Sequence, residues 1–208
     1  MYDEICSIVS EERFAPYLAA AGYKQTRALE LYAWNMKVSA SFYPLLAATE
    51  ICLRNRIMAQ ILALYGVRWW DEALFLELLG PKGKGIVLRA RNEICRRGQT
   101  PTAGRITAEL SFGFWQKMLL PKYEQPLWND MHASFPDLPL SATQYDLHQY
   151  CEGVRLLRNR ISHHEPVFRR NLTRDYGTGL TLLTWLSPSK ASWVRPQLQV
   201  MRILRDRP

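Results

Sequence analysis

The chain has 208 residues, a formal net charge of +8 and a hydrophobic content of 48%. This length and composition allow one well-buried domain, so we expect a single domain over residues 1–208. No run of 18 uncharged apolar residues occurs, and the start Met1-Tyr2-Asp3-Glu4 lacks the basic beginning of a signal peptide. The sequence therefore predicts a cytoplasmic protein without a membrane partner.

The four cysteines, Cys6, Cys52, Cys95 and Cys151, stand far apart and form no Cys-x-x-Cys pair. That spacing argues against a zinc site or a disulfide framework and predicts reduced thiols in the core. We expect neither a metal nor a cofactor.

Helical periodicity dominates the chain and predicts an all-α bundle. Ser10 before Glu11-Glu12 is typical of a helix N-terminus, and Gly22 of a helix end. Further helices are predicted over residues 25–65, with a potential break at Pro44, and over residues 71–79, 86–97 and 107–120, the last capped by Thr107. After a break at Gly177-Thr178-Gly179, a C-terminal helical extension is predicted over residues 180–186 and 192–204.

Residues 80–85, Gly-Pro-Lys-Gly-Lys-Gly, superficially resemble a phosphate-binding loop. They lack the G-x-x-x-x-G-K-[ST] order and a preceding strand, so we interpret them as a basic surface turn that carries Lys82 and Lys84. Trp69, Trp70 and Trp115 could stack on bases, but large apolar groups in helices favour the core or a dimer interface.

The excess of positive charge lies at the C-terminal end of the chain. Residues 151–208 hold 11 Lys and Arg against 4 Asp and Glu, whereas residues 1–150 hold 16 against 15. Such a basic region favours a polyanion as partner. The alternative is a solvated basic tail without a specific role.

One amphipathic helix precedes the most informative segment. Its apolar positions recur every three or four residues: Leu147, Tyr150, Cys151, Val154, Leu157 and Ile161. Arg158 lies on this stripe, where a partly desolvated guanidinium needs a carboxylate or a bound anion such as phosphate. Pro166 disfavours helical geometry at Glu165, so we expect the helix to end near His163 or His164.

These residue types suit metal-independent RNA cleavage. Histidine can move the protons of the reaction, and arginine can stabilise the charge that develops around phosphorus. We therefore interpret His163 as a proton-transfer residue and Arg158 as the transition-state cation. The alternative for His163 is a structural histidine at a helix end.

The helix over residues 25–65 contains a carboxylate within an apolar stripe. Leu46, Leu53, Ile57 and Leu64 share one face, and Glu50 projects close to it. A carboxylate there needs a counter-charge, for which Arg54 and Arg158 are the candidates. A purely structural Glu50–Arg54 pair remains an alternative.

The segment Arg158-Asn159 followed by Ser162-His163-His164 resembles the R-N-x-x-[AS]-H-H signature of Abi-like (abortive-infection) proteins, a branch of the HEPN superfamily. Residues 50–55, Glu-Ile-Cys-Leu-Arg-Asn, resemble the family's E-x-x-x-R-N helix, and residues 110–115, Leu-Ser-Phe-Gly-Phe-Trp, its L-S-F-G-x-[WL] segment. The resemblance implies a HEPN-like helical bundle, an RNA-cleaving site formed across a homodimer, and a role as a toxin in antiphage defence.

The resemblance and the chemistry together assign roles to eleven residues. Arg158, His163 and Asn159 form the catalytic set, with Asn159 orienting one of the other two. Glu50 and Arg54 support them, and His164 is either a second proton carrier or a helix-end cap. The RNA-binding candidates are Arg160, Arg169, Arg170, Lys82 and Lys84.

The partners follow from this interpretation. RNA is the expected substrate, and a toxin needs an antitoxin, which we expect to be a structured RNA or an acidic protein. A homodimer would place two histidines at one phosphate. The alternatives are a non-catalytic module that sequesters RNA and a helical protein-interaction scaffold.

Overall fold

The computed structural model describes residues 2–208, and the regular structure of this part of the chain is entirely helical. Its helices are α1 (Tyr2–Val9), α2 (Glu11–Ala20), α3 (Gln25–Tyr65), α4 (Ala73–Arg96), α5 (Ala103–Glu109), α6 (Phe112–Lys117), α7 (Glu124–Leu127), α8 (Met131–Ser134), α9 (Gln144–Ser162), α10 (Leu172–Leu186), α11 (Pro188–Val194) and α12 (Val200–Arg205), with 3₁₀ turns at Trp69–Asp71, Pro121–Tyr123 and Arg195–Gln197. The prediction of an all-α fold is confirmed. No helix among the described residues is long and apolar enough to cross a membrane.

The chain divides into two compact units. The first unit comprises residues up to 48 together with 153–184 and 189–208, and the second comprises 49–152 and 185–188. Because α3 and α9 each run through a boundary, both contribute residues to both units. The single domain expected from the sequence stays a prediction.

The N-terminal helix cap is confirmed. The Ser10 hydroxyl accepts a hydrogen bond from the backbone N–H of Arg13 and so satisfies one free donor at the start of α2. Gly22 has a φ of 61° just after that helix, as its predicted role as a helix end requires. Helix α1 was not predicted.

Helix α3 has the predicted bounds, but it is continuous through Pro44. Pro44 and Ala40, whose carbonyl loses its helical N–H partner, are both exposed, so water can solvate the freed carbonyl. Leu53 and Ile57 are fully buried, as the predicted stripe requires. Leu64 is 50% exposed and does not belong to the core, because it lies in the last turn of the helix.

The basic turn predicted at residues 80–85 is wrong. Gly80 (φ 70°, ψ 177°) kinks α4, and helical geometry resumes immediately at Pro81, whose fixed φ suits the first turn of a helix. Lys82 and Lys84 are therefore exposed on the first turn after a kink.

The helix predicted over residues 107–120 is also wrong. Two short helices occupy this region, with the Thr102 hydroxyl capping α5 and the Ser111 hydroxyl capping α6. Thr107 lies inside α5, where its hydroxyl donates a hydrogen bond of 2.6 Å to the carbonyl of Ala103. The caps in the structure lie five residues before and four residues after the predicted one.

The break predicted at Gly177-Thr178-Gly179 does not occur, because α10 continues through it. Gly179 is small for a packing reason: a Cβ there would lie 2.9 Å from Cδ2 of Leu45. The helix predicted over residues 192–204 is instead divided into α11 and α12 by the 3₁₀ turn at Arg195–Gln197, which contains Pro196.

Three tryptophans lie in the core of the second unit. Trp69 and Trp115 are fully buried, with ring centroids 6.4 Å apart, and Trp70 is also buried. Their placement confirms the preference for core positions over base stacking. Among the cysteines, Cys151 is the buried thiol, whereas Cys95 is exposed and contradicts the prediction that all lie in the core.

Candidate functional site

Helix α9 carries the Arg-His motif at its C-terminal end. The predicted apolar stripe is confirmed at Leu147, Cys151, Val154 and Leu157, which are all buried, while Tyr150 and Ile161 are half-buried. Arg158 and Asn159 are half-buried in the last turns of the helix. The stripe therefore fixes the rotation of α9 and keeps the guanidinium partly shielded from water.

The end of α9 is a complete Schellman motif. The N–H of Glu165 donates to the carbonyl of Arg160 (2.8 Å), and the N–H of His164 donates to that of Ile161 (3.1 Å). His164 occupies the left-handed position, with a φ of 55°, which glycine usually fills. Both His163 and His164 are exposed, so the predicted helix end is confirmed and its imidazoles are accessible.

His163 keeps a helical hydrogen bond, because its N–H donates to the carbonyl of Asn159 (2.9 Å). These two residues therefore lie on one face of α9. The structure thus gives the two histidines different backbone roles: His163 completes the helix, and His164 reverses the chain.

The chain after the motif is anchored by a residue that sequence reasoning missed. Oδ1 of Asn35, buried in α3, accepts hydrogen bonds from the N–H groups of Val167 (2.8 Å) and Phe168 (3.2 Å). The ring of Phe168 packs against Tyr17, with centroids 5.0 Å apart. The only signal in the sequence was a lone polar residue on the apolar face of α3, in register with Leu31.

The arginines beside the motif differ in the hydrogen bonds and ion pairs that they form. Arg160 donates to the carbonyl of Pro166 (3.4 Å) and lies 3.9 Å from the Glu165 carboxylate. Arg170 forms a two-point pair with Asp175 (2.8 and 2.7 Å), and hydrogen bonding by this carboxylate raises the pKa of Arg170. Arg169 is exposed and makes none of the described ion pairs; its guanidinium lies 5.6 Å from the Phe168 ring centroid.

A cleft of about 600 Å³ adjoins the two histidines within the first unit. Its lining comes from the chain after α9, from α1 and α2, and from α3: Ile8, Val9, Glu12, Arg13, Pro16, Tyr17, Tyr32, His163, His164, Glu165 and Pro166. Burial, and secondarily the neighbouring Tyr32, raises the pKa of Tyr17 to about 12, so its phenol is neutral at physiological pH. No sequence pattern indicated that α1 and α2 border the motif.

The remaining predicted site residues belong to the second unit. Glu50 and Arg54 are half-buried on α3, and Nε of Arg54 is buried without a hydrogen-bond partner in the described part of the chain. Lys82 and Lys84 are exposed on α4. Arg160, Arg169 and Arg170 therefore belong to the same unit as the motif, whereas their binding of RNA and the support by Glu50 and Arg54 stay predictions.

Chemically, the end of α9 offers an accessible imidazole beside a cleft and, on another face of the helix, a partly shielded guanidinium. These residue types suit proton transfer and the binding of an anion. Among residues 2–208, no group of three or more His, Cys, Asp and Glu side chains is arranged to hold a metal ion. Comparison of the chain with protein-family models, curated proteins and solved structures finds no match in any of the three.

Proposed function

We propose that this protein is an Abi-like endoribonuclease of the HEPN superfamily that cleaves RNA without a metal ion and acts as a cytoplasmic toxin in antiphage defence. The observation that carries the proposal is the end of α9, where Arg158 is half-buried and His163 is exposed at the edge of a cleft. Arginine and histidine are the residue types that such a reaction needs.

The reaction would proceed by attack of a ribose 2′-oxygen on the adjacent phosphorus. The 2′-hydroxyl proton passes to a histidine acting as base, the bond from phosphorus to the 5′-oxygen breaks, and that oxygen takes a proton from an acid. The products are a 2′,3′-cyclic phosphate and a 5′-hydroxyl. Arg158 stabilises the negative charge that develops on the phosphorus-bound oxygens.

A homodimer would supply the base and the acid from two copies of His163. In one copy, Arg158 and His163 are five residues apart and so point about 140° apart around α9. His164 forms the left-handed turn at the end of the helix, so the proposal assigns the second role to the other copy of His163. Apposed motif helices would place one His163 on each side of a phosphate, and the basic C-terminal part would bind the substrate or an antitoxin, either a structured RNA or an acidic protein.

The first test is cleavage of total RNA by the purified protein in EDTA. We expect cyclic-phosphate ends, and a loss of about 10²–10⁴-fold for Arg158→Ala and for His163→Ala, because each removes a positioned charge or proton carrier. Arg27→Ala, at an exposed position on α3 away from the cleft, is the matched charge control, and His132→Gln is the histidine control. Full activity of a folded His163→Ala variant would refute the assignment.

The second test concerns the dimer. An excess of Arg158→Ala protomers mixed with wild type under subunit exchange should lower activity more steeply than dilution does. A monomer with full specific activity would contradict the shared site. Tight RNA binding by a wild-type protein that cleaves no RNA would instead favour the non-catalytic module.

A further inference from the structure

The cleft beside the motif combines two kinds of lining group. Arg13, His163 and His164 supply positive charge or hydrogen-bond donors, whereas Ile8, Val9, Pro16 and the two tyrosines supply apolar and aromatic surface. Its volume of about 600 Å³ lies within the range of about 300–1,000 Å³ that is typical of small-molecule sites. A ligand that suits both kinds of surface carries an anionic group and a flat, largely apolar group.

Arg13 is the cation of the cleft that the fold leaves available. It is exposed, and its side chain takes part in none of the ion pairs described for residues 2–208. Its backbone is fixed, because its N–H donates to the Ser10 hydroxyl at the start of α2. A guanidinium on a fixed backbone, without an internal carboxylate, is well placed to bind a phosphate in two places.

The two carboxylates of the cleft are engaged at their own helix ends. Glu12 accepts hydrogen bonds from its own N–H and from Ser10, which lower its pKa. Glu165 lies 3.9 Å from Arg160. Their negative charge disfavours a second phosphate group, but carboxylates can accept hydrogen bonds from the N–H groups of a nucleobase.

We propose that this cleft binds one unpaired RNA nucleotide, with its phosphate held by Arg13 beside the histidines and its base held by Ile8, Pro16 and Tyr32. The inference rests on the proposed function and specifies the class of RNA that the protein would cleave. A base must leave its stack to enter a cleft of this kind, so the substrates are single-stranded loops, bulges or ends rather than duplexes.

Binding can be measured apart from cleavage with the four ribonucleoside 3′-monophosphates, which contain no phosphodiester bond to cut. The chain has four histidines, and the side-chain proton resonances of His163 and His164 should shift on titration, while those of His132 and His148 should not. Inorganic phosphate alone should bind at least about tenfold more weakly, because it lacks the base contacts. Absence of a shift at His163 and His164, or equal affinity for phosphate alone, would overturn the inference.

Two surface substitutions with matched controls localise the site. Arg13→Gln and Ile8→Glu should each weaken nucleotide binding at least about fivefold, since they remove the phosphate ligand or place a charge in the apolar lining. Ile8 is 84% exposed, so its replacement should not unfold the protein. Arg27→Gln and Leu140→Glu, the latter at a residue 90% exposed outside the cleft, should leave binding unchanged. Equal weakening by the controls would show a general charge effect and refute the site.

The substrate class is tested with an RNA hairpin and with the same strand annealed to its full complement, which makes a perfect duplex. We expect cuts in the hairpin loop and none in the duplex. Equal cleavage of both would overturn this inference and leave the proposed ribonuclease intact. Nucleotide binding in the cleft without cleavage of any RNA would refute the ribonuclease and leave the binding site in place.

Discussion

The C-terminal ends of α4 and α9 have the same hydrogen bonds but different residues at the critical position. At the end of α4, the N–H of Gln99 donates to the carbonyl of Ile94 (3.1 Å), and that of Gly98 donates to Cys95 (2.9 Å). The left-handed residue is Gly98 (φ 70°) in α4 and His164 (φ 55°) in α9. A side chain in that conformation costs about 1–2 kcal/mol relative to right-handed geometry.

The presence of histidine rather than glycine at the end of α9 indicates that stability is not the only requirement on position 164. Glycine also fills the corresponding left-handed position after α2, at Gly22. His164 departs from it beside the motif and the cleft. Ser10 (φ 77°) and Tyr23 (φ 60°) also have positive φ without being glycine, so the strain at His164 points to function only together with its place in the lining of the cleft.

The chain leaves the two helix ends in different ways. The segment after Gly98 is exposed up to Thr100, whereas Val167 and Phe168, just after the end of α9, are buried and bonded to Asn35. The second arrangement fixes the exit of the chain from the motif. Removal of the Asn35 anchor should therefore lower the free energy of unfolding by more than an exchange of the left-handed residues changes it.

The largest effect on stability is expected from Asn35→Leu. The substitution removes the acceptor of two buried N–H groups and should lower the free energy of unfolding by about 2–4 kcal/mol. Cleavage should fall with it, because the segment after His164 loses its anchor. Chemical denaturation measures the first effect, and RNA cleavage well below the unfolding midpoint measures the second.

Asn35→Asp is the control for that experiment, since its carboxyl group can still accept both hydrogen bonds. A buried carboxylate also carries a desolvation cost, which protonation relieves, so Asn35→Asp should gain stability relative to Asn35→Leu as the pH is lowered. If both variants unfold like the wild type, the anchoring role of Asn35 is wrong.

An exchange of residues between the two helix ends should change stability less than Asn35→Leu does. The two changes should have opposite signs. His164→Gly should raise the free energy of unfolding by about 0.5–1 kcal/mol, and Gly98→His should lower it by about 1 kcal/mol. Because His164 lines the cleft but carries no proton in the proposed mechanism, His164→Gly should lower cleavage by at most about tenfold through weaker binding, less than the ~10²-fold loss expected of a proton carrier. A loss as large as that of His163→Ala would make His164 catalytic.

Local signals explain the features that could be predicted from the sequence. The Ser10 cap, the bounds of α3 and the end of α9 depend on residues within one or two turns, such as Pro166 near His164. The amphipathic period of α9 was equally local and identified its buried face.

Non-local contacts explain the features that could not be predicted. Asn35 meets Val167 across 132 residues of sequence, and no local pattern encodes that pairing. Gly179 was interpreted as a helix break, because glycine in a sequence usually indicates a flexible backbone. In the structure, position 179 needs a residue without a Cβ because it packs closely against Leu45. The cleft was missed for the same reason, since Arg13 and Tyr32 border His163 only through the packing of separate helices.

The smallest expected effect concerns the cations at the two helix ends. After α4, Arg97 is neutralised by Glu93 (3.1 Å) and Glu109 (2.6 Å), whereas after α9 Arg169 makes none of the described ion pairs and Arg170 is held by Asp175. Binding of a non-cleavable 2′-deoxy oligonucleotide should therefore lose about one phosphate contact in Arg169→Gln, which flattens the plot of log affinity against log salt by about 0.7. Arg97→Gln and Arg170→Gln should leave the slope unchanged, because each removes a charge that a carboxylate already offsets. A flatter slope for Arg170→Gln alone would mean that RNA displaces Asp175, and would make that pair, rather than Arg169, the phosphate contact at this end of the molecule.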